Sequence, residues 1–185
     1  MGSRISYVAS PLSEAELAAT FGFAEVRRVR EMPYQDTCAF RTAAGWSVLW
    51  VNDETFAARH AETIARLSKR APVLSLTVSE TVMASQSDLH EDGALAWSIM
   101  HLGEDGPDVA PVISGTLPPA YEEIRARQAE AQAADDGLVD HMFAVPVELA
   151  HRLCGFRYDE MPEAPGGFAV LGPRRRGLLA RLLGR

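Results

Sequence analysis

The chemically suggestive residues of this chain fall in one segment, residues 79–102. Glu80 interrupts a period-two row of leucines and valines in a predicted strand, and a carboxyl group that is buried in such a row has a raised pKa. Trp97 and His101 follow on the next predicted strand, so the three side chains are candidates to line one ligand pocket. The alternative interpretation places Glu80 at a bulge, a strand end or a sheet edge, where its carboxylate reaches water.

Other motifs with catalytic potential are incomplete. Residues 45–49 begin like the nucleophile elbow of hydrolases, but the second glycine is missing and the serine falls in a predicted strand. His60 and Glu62 match half of the zinc deaminase signature, no Pro-Cys-x-x-Cys segment completes it, and His60 is expected in the core. Asp140 could orient His141 as a general base, although no nucleophile stands beside them. The sequence therefore favours a protein that is not an enzyme, without deciding the question.

Metal-binding and cofactor-binding patterns are also missing from the sequence. His90 and His101 belong to the two strands of a predicted hairpin, whose register separates them by about 20 Å, too far for one ion. Asp88 and His90 share one face of a strand and could weakly bind a cation. The favoured interpretation is that they are solvated charges near a turn. Cys38 and Cys154 have no CxxC spacing, so we expect buried thiols. Since neither a G-x-G-x-x-G nor a Walker A motif occurs, we expect no metal and no cofactor.

The elements that would position these residues are helices interspersed with strands. Capping residues, prolines and glycines mark the ends of four predicted helices, which span about 14–22, 53–69, 118–134 and 146–155. Period-two patterns and turn residues predict strands at 37–41, 46–51, 72–89, 94–102, 142–145 and 168–171. Consecutive hairpins with dispersed helices indicate an α+β fold, with an antiparallel sheet and about four helices packed mainly on one face.

Length and charge describe an acidic chain of one domain. The 185 residues fit a single core, which we assign to residues 1–171, with residues 172–185 as a separate tail. The formal charge of the whole chain is −7, but residues 1–171 contain 13 basic and 25 acidic residues, a charge of −12. Such a body repels phosphate backbones, so nucleic-acid binding is not expected. A protein partner with a basic surface would be attracted, although an acidic surface also serves solubility.

The tail combines leucines with arginines. The leucines recur at i, i+1, i+4 and i+5, on one side of a predicted helix that Gly177 and Gly184 weaken. The arginines make this a basic amphipathic segment of the type that contacts anionic membranes or a partner groove; they are Arg174, Arg175, Arg176, Arg181 and Arg185. Three alternatives remain open: the tail folds back on the acidic body, is disordered, or makes a weak membrane or partner contact.

The sequence shows no targeting signal. No run of residues is long and apolar enough to predict a membrane-spanning helix. Residues 1–20 lack the basic, apolar and small-residue order of a signal peptide. We therefore expect a cytoplasmic protein.

Several short motifs in the second half of the chain resemble those of one protein group. They are ETVMAS at 80–85, Asp92-Gly93, WSIMH at 97–101, FAVPVELA at 143–150 and GFRYD at 155–159. Over about residues 73–159 the chain resembles a group of small bacterial proteins that share a domain of unknown function. The resemblance implies a bacterial origin and carries no catalytic residue over to this chain.

Three hypotheses about function follow from the sequence. The leading one is a non-catalytic cytoplasmic binding protein, of the immunity or regulatory type, whose acidic body binds a basic partner. The second is a small enzyme or small-molecule-binding protein with its site near Glu80, Trp97 and His101. The third is a peripheral membrane protein that binds through its tail. The sequence leaves the oligomeric state open.

Overall fold

An antiparallel sheet forms the centre of the protein in a computed structural model that describes residues 2–106, 109–135 and 139–174. Within these residues the sheet has nine strands: β1 (Arg4–Ser10), β2 (Phe23–Val29), β3 (Cys38–Arg41), β4 (Ser47–Val51), β5 (Val73–Ser79), β6 (Ala84–Glu91), β7 (Ala94–Leu102), β8 (Val112–Gly115) and β9 (Phe168–Pro173). Their order across the sheet is β2-β9-β3-β4-β1-β5-β6-β7-β8, and all neighbours are antiparallel. The predicted α+β class and antiparallel sheet are confirmed.

Helices cover both faces of this sheet. The described residues form five α-helices: α1 (Glu14–Thr20), α2 (Phe56–Arg59), α3 (Ala61–Leu67), α4 (Ala120–Ala134) and α5 (Ala144–Cys154). The first three pack with Val8 and Leu49 in one apolar core, whereas α4 and α5 pack with Tyr7 and Trp50 in another. Neighbouring residues of a strand point to opposite faces, so the two cores lie on opposite sides of the sheet. The prediction of helices mainly on one face is therefore wrong, and strands dominate the fold.

The central strands explain why both faces are covered. Every residue of β4 is buried, as are six of the seven residues of β1, and a strand that is apolar on both sides needs packing partners on both. The sequence predictions do not include β1, although every second residue from Ile5 to Ala9 is apolar. Its position between β4 and β5 brings the amino-terminal segment to the middle of the sheet.

Several local signals act as the sequence predicts. Ser13 and Glu16 form a capping box at the start of α1, where the Ser13 hydroxyl accepts a hydrogen bond from the Glu16 N–H at 3.3 Å. Gly155 ends α5 in the left-handed conformation, with a φ of 72°. Asp92 and Gly93, both with positive φ, form the two-residue turn between β6 and β7. The structure confirms all three predictions. Each feature was predictable because the residues that determine it lie within a few positions of one another.

Three predicted elements differ from the structure. The helix expected at 53–69 is divided into α2 and α3 at His60, whose φ of −111° is not helical. The strand expected at 142–145 is a turn followed by the first residues of α5. The helix begins two residues before Pro146, because a proline is tolerated in the first turn of a helix, where its missing N–H breaks no hydrogen bond. The strand expected at 72–89 is the hairpin of β5 and β6, and Val82 in its turn is exposed.

The last described residues follow β9. This strand continues to Pro173, two residues beyond the predicted domain boundary, and the Arg174 N–H donates to the Gly22 carbonyl at 2.8 Å. The other tail arginines, Arg175, Arg176, Arg181 and Arg185, lie outside the described residues. Among the helices that the structure describes, none has the length and apolar character needed to cross a membrane.

Candidate ligand-binding cleft

A cleft of about 960 Å³ lies at the end of the sheet where β1 begins and where β4 and β5 end. The antiparallel register places Arg4 beside Ser79 and Ser6 beside Val51, so the first residues of β1 meet the segments that follow β4 and β5. The cleft thereby combines residues from five parts of the chain, at 2–5, 34–35, 50–55, 81 and 158–159.

Three aromatic residues line the cleft. Trp50, at the end of β4, is 3% exposed, and its indole N–H donates to the Tyr34 carbonyl at 3.3 Å. The rings of these two residues meet edge to face with centroids 5.9 Å apart, and Phe156 packs 6.2 Å from the indole. Tyr158 is the third. Aromatic rings that the core holds in place can contact an apolar group or a cation without a further loss of side-chain entropy.

Glu80 connects two of the segments that line the cleft. It lies in the turn after β5. This position is a strand end, one of the places to which the second interpretation of the sequence assigns Glu80. Its carboxylate accepts hydrogen bonds from the Ser3 N–H at 2.6 Å and from the Tyr158 hydroxyl at 2.7 Å. Burial and the hydrogen bond to Glu80 both raise the pKa of Tyr158. Glu80 is therefore a positioning residue that joins the amino-terminal segment to the segment after α5.

Two carboxylates of the cleft are held ionised by neighbouring donors. Arg4 forms a bidentate ion pair with Glu54, and this hydrogen bonding lowers the pKa of Glu54. Burial acts to raise the pKa of Asp53, but hydrogen bonds from Thr55 and from Arg59, the latter at 2.5 Å, outweigh it and the net shift is downward. Both groups are therefore negatively charged at neutral pH.

Among the described residues that line the cleft, carboxylates outnumber cations. Three carboxylates line it, the two described above and that of Asp159, whereas Arg4 is the single cation among the described lining residues. Asp159 accepts a hydrogen bond from Arg157 at 2.7 Å. The same guanidinium lies 3.6 Å from Glu148 and 3.7 Å from Glu160. Because Arg157 is shared by three carboxylates, it does not neutralise Asp159 alone.

The lining of the cleft offers polar atoms that a ligand can contact. Histidine, cysteine and lysine are all missing from its lining as far as the chain is described. Gln35, Asn52 and Thr81 line it with side chains that make no hydrogen bond inside the described ranges, so their polar atoms are available to a ligand. Carboxylates, aromatic rings and uncommitted amides together can recognise a cationic or polar group.

Trp97 and His101 do not reach the cleft. Both side chains point from β7 into the core that contains α5, and the two residues are 4% and 2% exposed. The His101 Nε2 atom lies 2.8 Å from an Asp140 carboxylate oxygen, and since a carboxylate accepts, the imidazole N–H donates. The structure therefore separates the three predicted site residues, because only Glu80 contacts segments that line the cleft.

Asp140 belongs to a buried polar cluster and does not orient His141. Its second carboxylate oxygen accepts a hydrogen bond from the Phe143 N–H at 3.2 Å, while His141 lies 3.4 Å from a carboxylate oxygen at the end of α4. Ser85, opposite His101 in the sheet, donates to the Phe143 carbonyl at 2.7 Å. This His101 cluster, made of Ser85, His101, Asp140 and the Phe143 main chain, attaches the loop before α5 to the sheet.

The other titratable residues that the sequence singles out lie outside the described lining of the cleft. The His60 ring stacks on Phe56, with Nδ1 2.9 Å from the Phe56 carbonyl. Cys38 and Cys154 are buried thiols, as predicted, and burial raises the pKa of both, that of Cys38 to about 12. The buried Nδ1 of His90 has no partner inside the described ranges, and burial lowers the pKa of this histidine.

None of the described residues that line the cleft was a candidate from the sequence. One local signal exists, the polar run 52–55 directly after the buried strand β4, since such a run lies at the end of the sheet. Arg4, Tyr34 and Tyr158 have no comparable signal, because only the order of the strands brings them together.

Comparisons with known proteins assign no relationship: no protein-family model, no curated protein and no solved structure matches the chain. The resemblance to small bacterial proteins stays an expectation from the sequence. Any functional assignment therefore depends on the geometry of the cleft and on the charge of the body.

Proposed function

We propose that this is a non-catalytic cytoplasmic binding protein whose cleft receives a basic group, an arginine or lysine side chain, of a protein partner. The lining of the cleft carries this proposal, because its three carboxylates outnumber its one guanidinium beside three aromatic rings, while Arg59 and Arg157 contact two of these carboxylates from outside the lining. A cation is attracted both by carboxylates and by the faces of aromatic rings. The described lining offers no histidine, cysteine or lysine for acid–base or nucleophilic chemistry.

The charge of the whole body supports the same type of partner. Residues 1–171 carry a formal charge of −12, and a field of one sign steers an oppositely charged protein towards its binding site. The lowered pKa values of Asp53 and Glu54 keep this charge in the cleft at neutral and mildly acidic pH. An immunity-type or regulatory protein that binds a basic target would use such a surface.

Binding of a small molecule in the same cleft is the second candidate function. Ligand pockets commonly have volumes of about 300–1,000 Å³, and the cleft, at about 960 Å³, is within that range. The uncommitted side chains of Gln35, Asn52 and Thr81 would supply its polar contacts. This candidate retains the predicted site near Glu80 but without Trp97 and His101.

Tryptophan fluorescence tests the proposal on the full chain, because Trp50 lines the cleft. The probes are two peptides, one of alternating glycine and arginine and one of alternating glycine and glutamate. We expect a saturable change in fluorescence with the arginine peptide alone, and weaker binding as salt is added. Trp50→Phe should remove the change, although Trp46 and Trp97 still fluoresce.

A pair of charge variants locates the binding. Asp53→Asn keeps an oxygen that accepts from Thr55 but removes the charge. It should weaken binding of the arginine peptide about 1.5- to 5-fold, the range expected for an exposed ion pair. Glu62→Gln removes an exposed charge from α3, outside the cleft lining, and should leave binding unchanged. Equal responses to both peptides, or equal effects of the two variants, would contradict the proposal.

A further inference from the structure

An apolar groove of about 580 Å³ lies between α1 and the strands β2, β3 and β9. Six of its fourteen described lining residues are alanines, and they are Ala15, Ala18, Ala19, Ala24, Ala39 and Ala169. Phe23 and Leu171 add larger apolar surface. We refer to this feature as the alanine groove. Because methyl groups do not fill the space between a helix and a sheet, the groove has room for apolar side chains from elsewhere.

Four of the five charged side chains that line the alanine groove, those of Glu14, Glu25, Arg28 and Arg41, already have hydrogen-bond partners. Arg28 donates to Glu14 at 2.9 Å and to Glu25 at 2.8 Å. Arg41 donates to the main-chain carbonyls of residues 11–12. Because these charged groups are already bonded, the surface that remains for a ligand is mainly apolar. We therefore expect an apolar occupant.

The chain itself leads to the alanine groove. Leu171 in β9 lines it, and so does Arg174, whose N–H is bonded to the Gly22 carbonyl. Eleven residues, 175–185, follow Arg174 in the sequence, and four of them are leucines, at 178, 179, 182 and 183. Eleven residues span about 16 Å as a helix and up to about 36 Å when extended. Either length is enough for the leucines to reach a groove that begins at Arg174.

We propose that the leucines of residues 175–185 bind in the alanine groove, so that the tail covers this face of its own chain. Attachment at Arg174 gives the tail an effective concentration in the millimolar range, at which even a weakly binding segment occupies its site. The acidic body attracts the tail arginines over a longer range. This proposal corresponds to folding back, one of the three alternatives that the sequence leaves open.

Alanine-methyl NMR on the full chain tests this proposal, because six alanines line the groove. The wild type is compared with a serine-tail variant that carries Leu178→Ser, Leu179→Ser, Leu182→Ser and Leu183→Ser. We expect the methyl signals of the groove alanines to differ between the two proteins. The signals of Ala57 and Ala150, which are buried in other places, should coincide. If the groove signals also coincide, the proposal is wrong.

A peptide of residues 172–185 provides the second readout. Added to the serine-tail variant, it should restore the wild-type methyl positions, and it should bind the wild type at least about tenfold more weakly, because the attached tail competes. Ala19→Arg, introduced into the serine-tail variant, should abolish peptide binding. Ala129→Arg, the same change at an exposed position of α4 outside the groove, should not.

Vesicles that contain phosphatidylserine test whether the leucines contact lipid and not the groove. We expect the wild type and the serine-tail variant to bind these vesicles equally weakly, since the leucines of the wild type are engaged in the groove. If the wild type binds vesicles and the peptide does not bind the serine-tail variant, the leucines contact lipid and the groove proposal is overturned.

Discussion

Replacing Asp140 with alanine is expected to loosen α5 from the sheet. Asp140 accepts two hydrogen bonds, from the His101 ring at 2.8 Å and from the Phe143 N–H at 3.2 Å. The side chain of His101 is 1% exposed, so water does not replace the lost acceptor. Phe143 immediately precedes α5, and the bond from Ser85 to its carbonyl is the remaining attachment of this loop in the cluster.

The expected loss in the free energy of unfolding is about 2–4 kcal/mol. An imidazole N–H that stays buried without an acceptor costs about 1–3 kcal/mol, and the lost hydrogen bond from Phe143 costs about 1 kcal/mol more. For a chain of this length the melting temperature should fall by about 4–16 °C. Asp140→Asn keeps an oxygen that accepts from Phe143, so its loss should be smaller than that of Asp140→Ala.

Urea unfolding, followed by tryptophan fluorescence and by far-UV circular dichroism, measures these differences. His141→Ala is the matched control, because His141 is the neighbouring residue and its side chain is 24% exposed. Its expected effect is below about 0.5 kcal/mol, as for most surface substitutions. Equal losses for Asp140→Ala and His141→Ala would refute the role of the His101 cluster in holding α5.

Two further predictions concern the cleft and the alkaline limit of stability. Tyr158→Phe removes one of the two hydrogen bonds that Glu80 accepts and should lower the free energy of unfolding by about 1 kcal/mol; an unchanged urea midpoint would contradict this. Burial raises the pKa values of Tyr7 and Tyr158, and that of Cys38 to about 12. The folded state therefore keeps protons that the unfolded chain loses above about pH 8.5–10, so this stability is complete below that range and is lost as the pH rises from it towards the raised pKa values of the folded state. Tyrosinate absorbance of these residues should appear together with unfolding, and ionisation that clearly precedes unfolding would count against the buried hydroxyls.

Local sequence determined the elements whose signals are short in range. The Ser13–Glu16 capping box, the Asp92-Gly93 turn and the Gly155 helix end were predictable, because each depends on hydrogen bonds or φ angles within a few residues. The continuous apolar run of β4 likewise indicated a strand that is buried on both faces. Composition determined the acidic charge of the body.

Tertiary structure decided which of these elements meet. No local pattern places β1 between β4 and β5, and this placement is what joins residues 2–5 to the ends of both strands in the cleft. His101 and Glu80 looked alike as polar residues in apolar strands, yet α5 covers the face of β7 that carries His101, while Glu80 lies beyond the end of β5. Periodicity predicts which face of a strand or helix is buried, but not which element covers it. Strand pairing and helix packing join residues that are far apart in sequence.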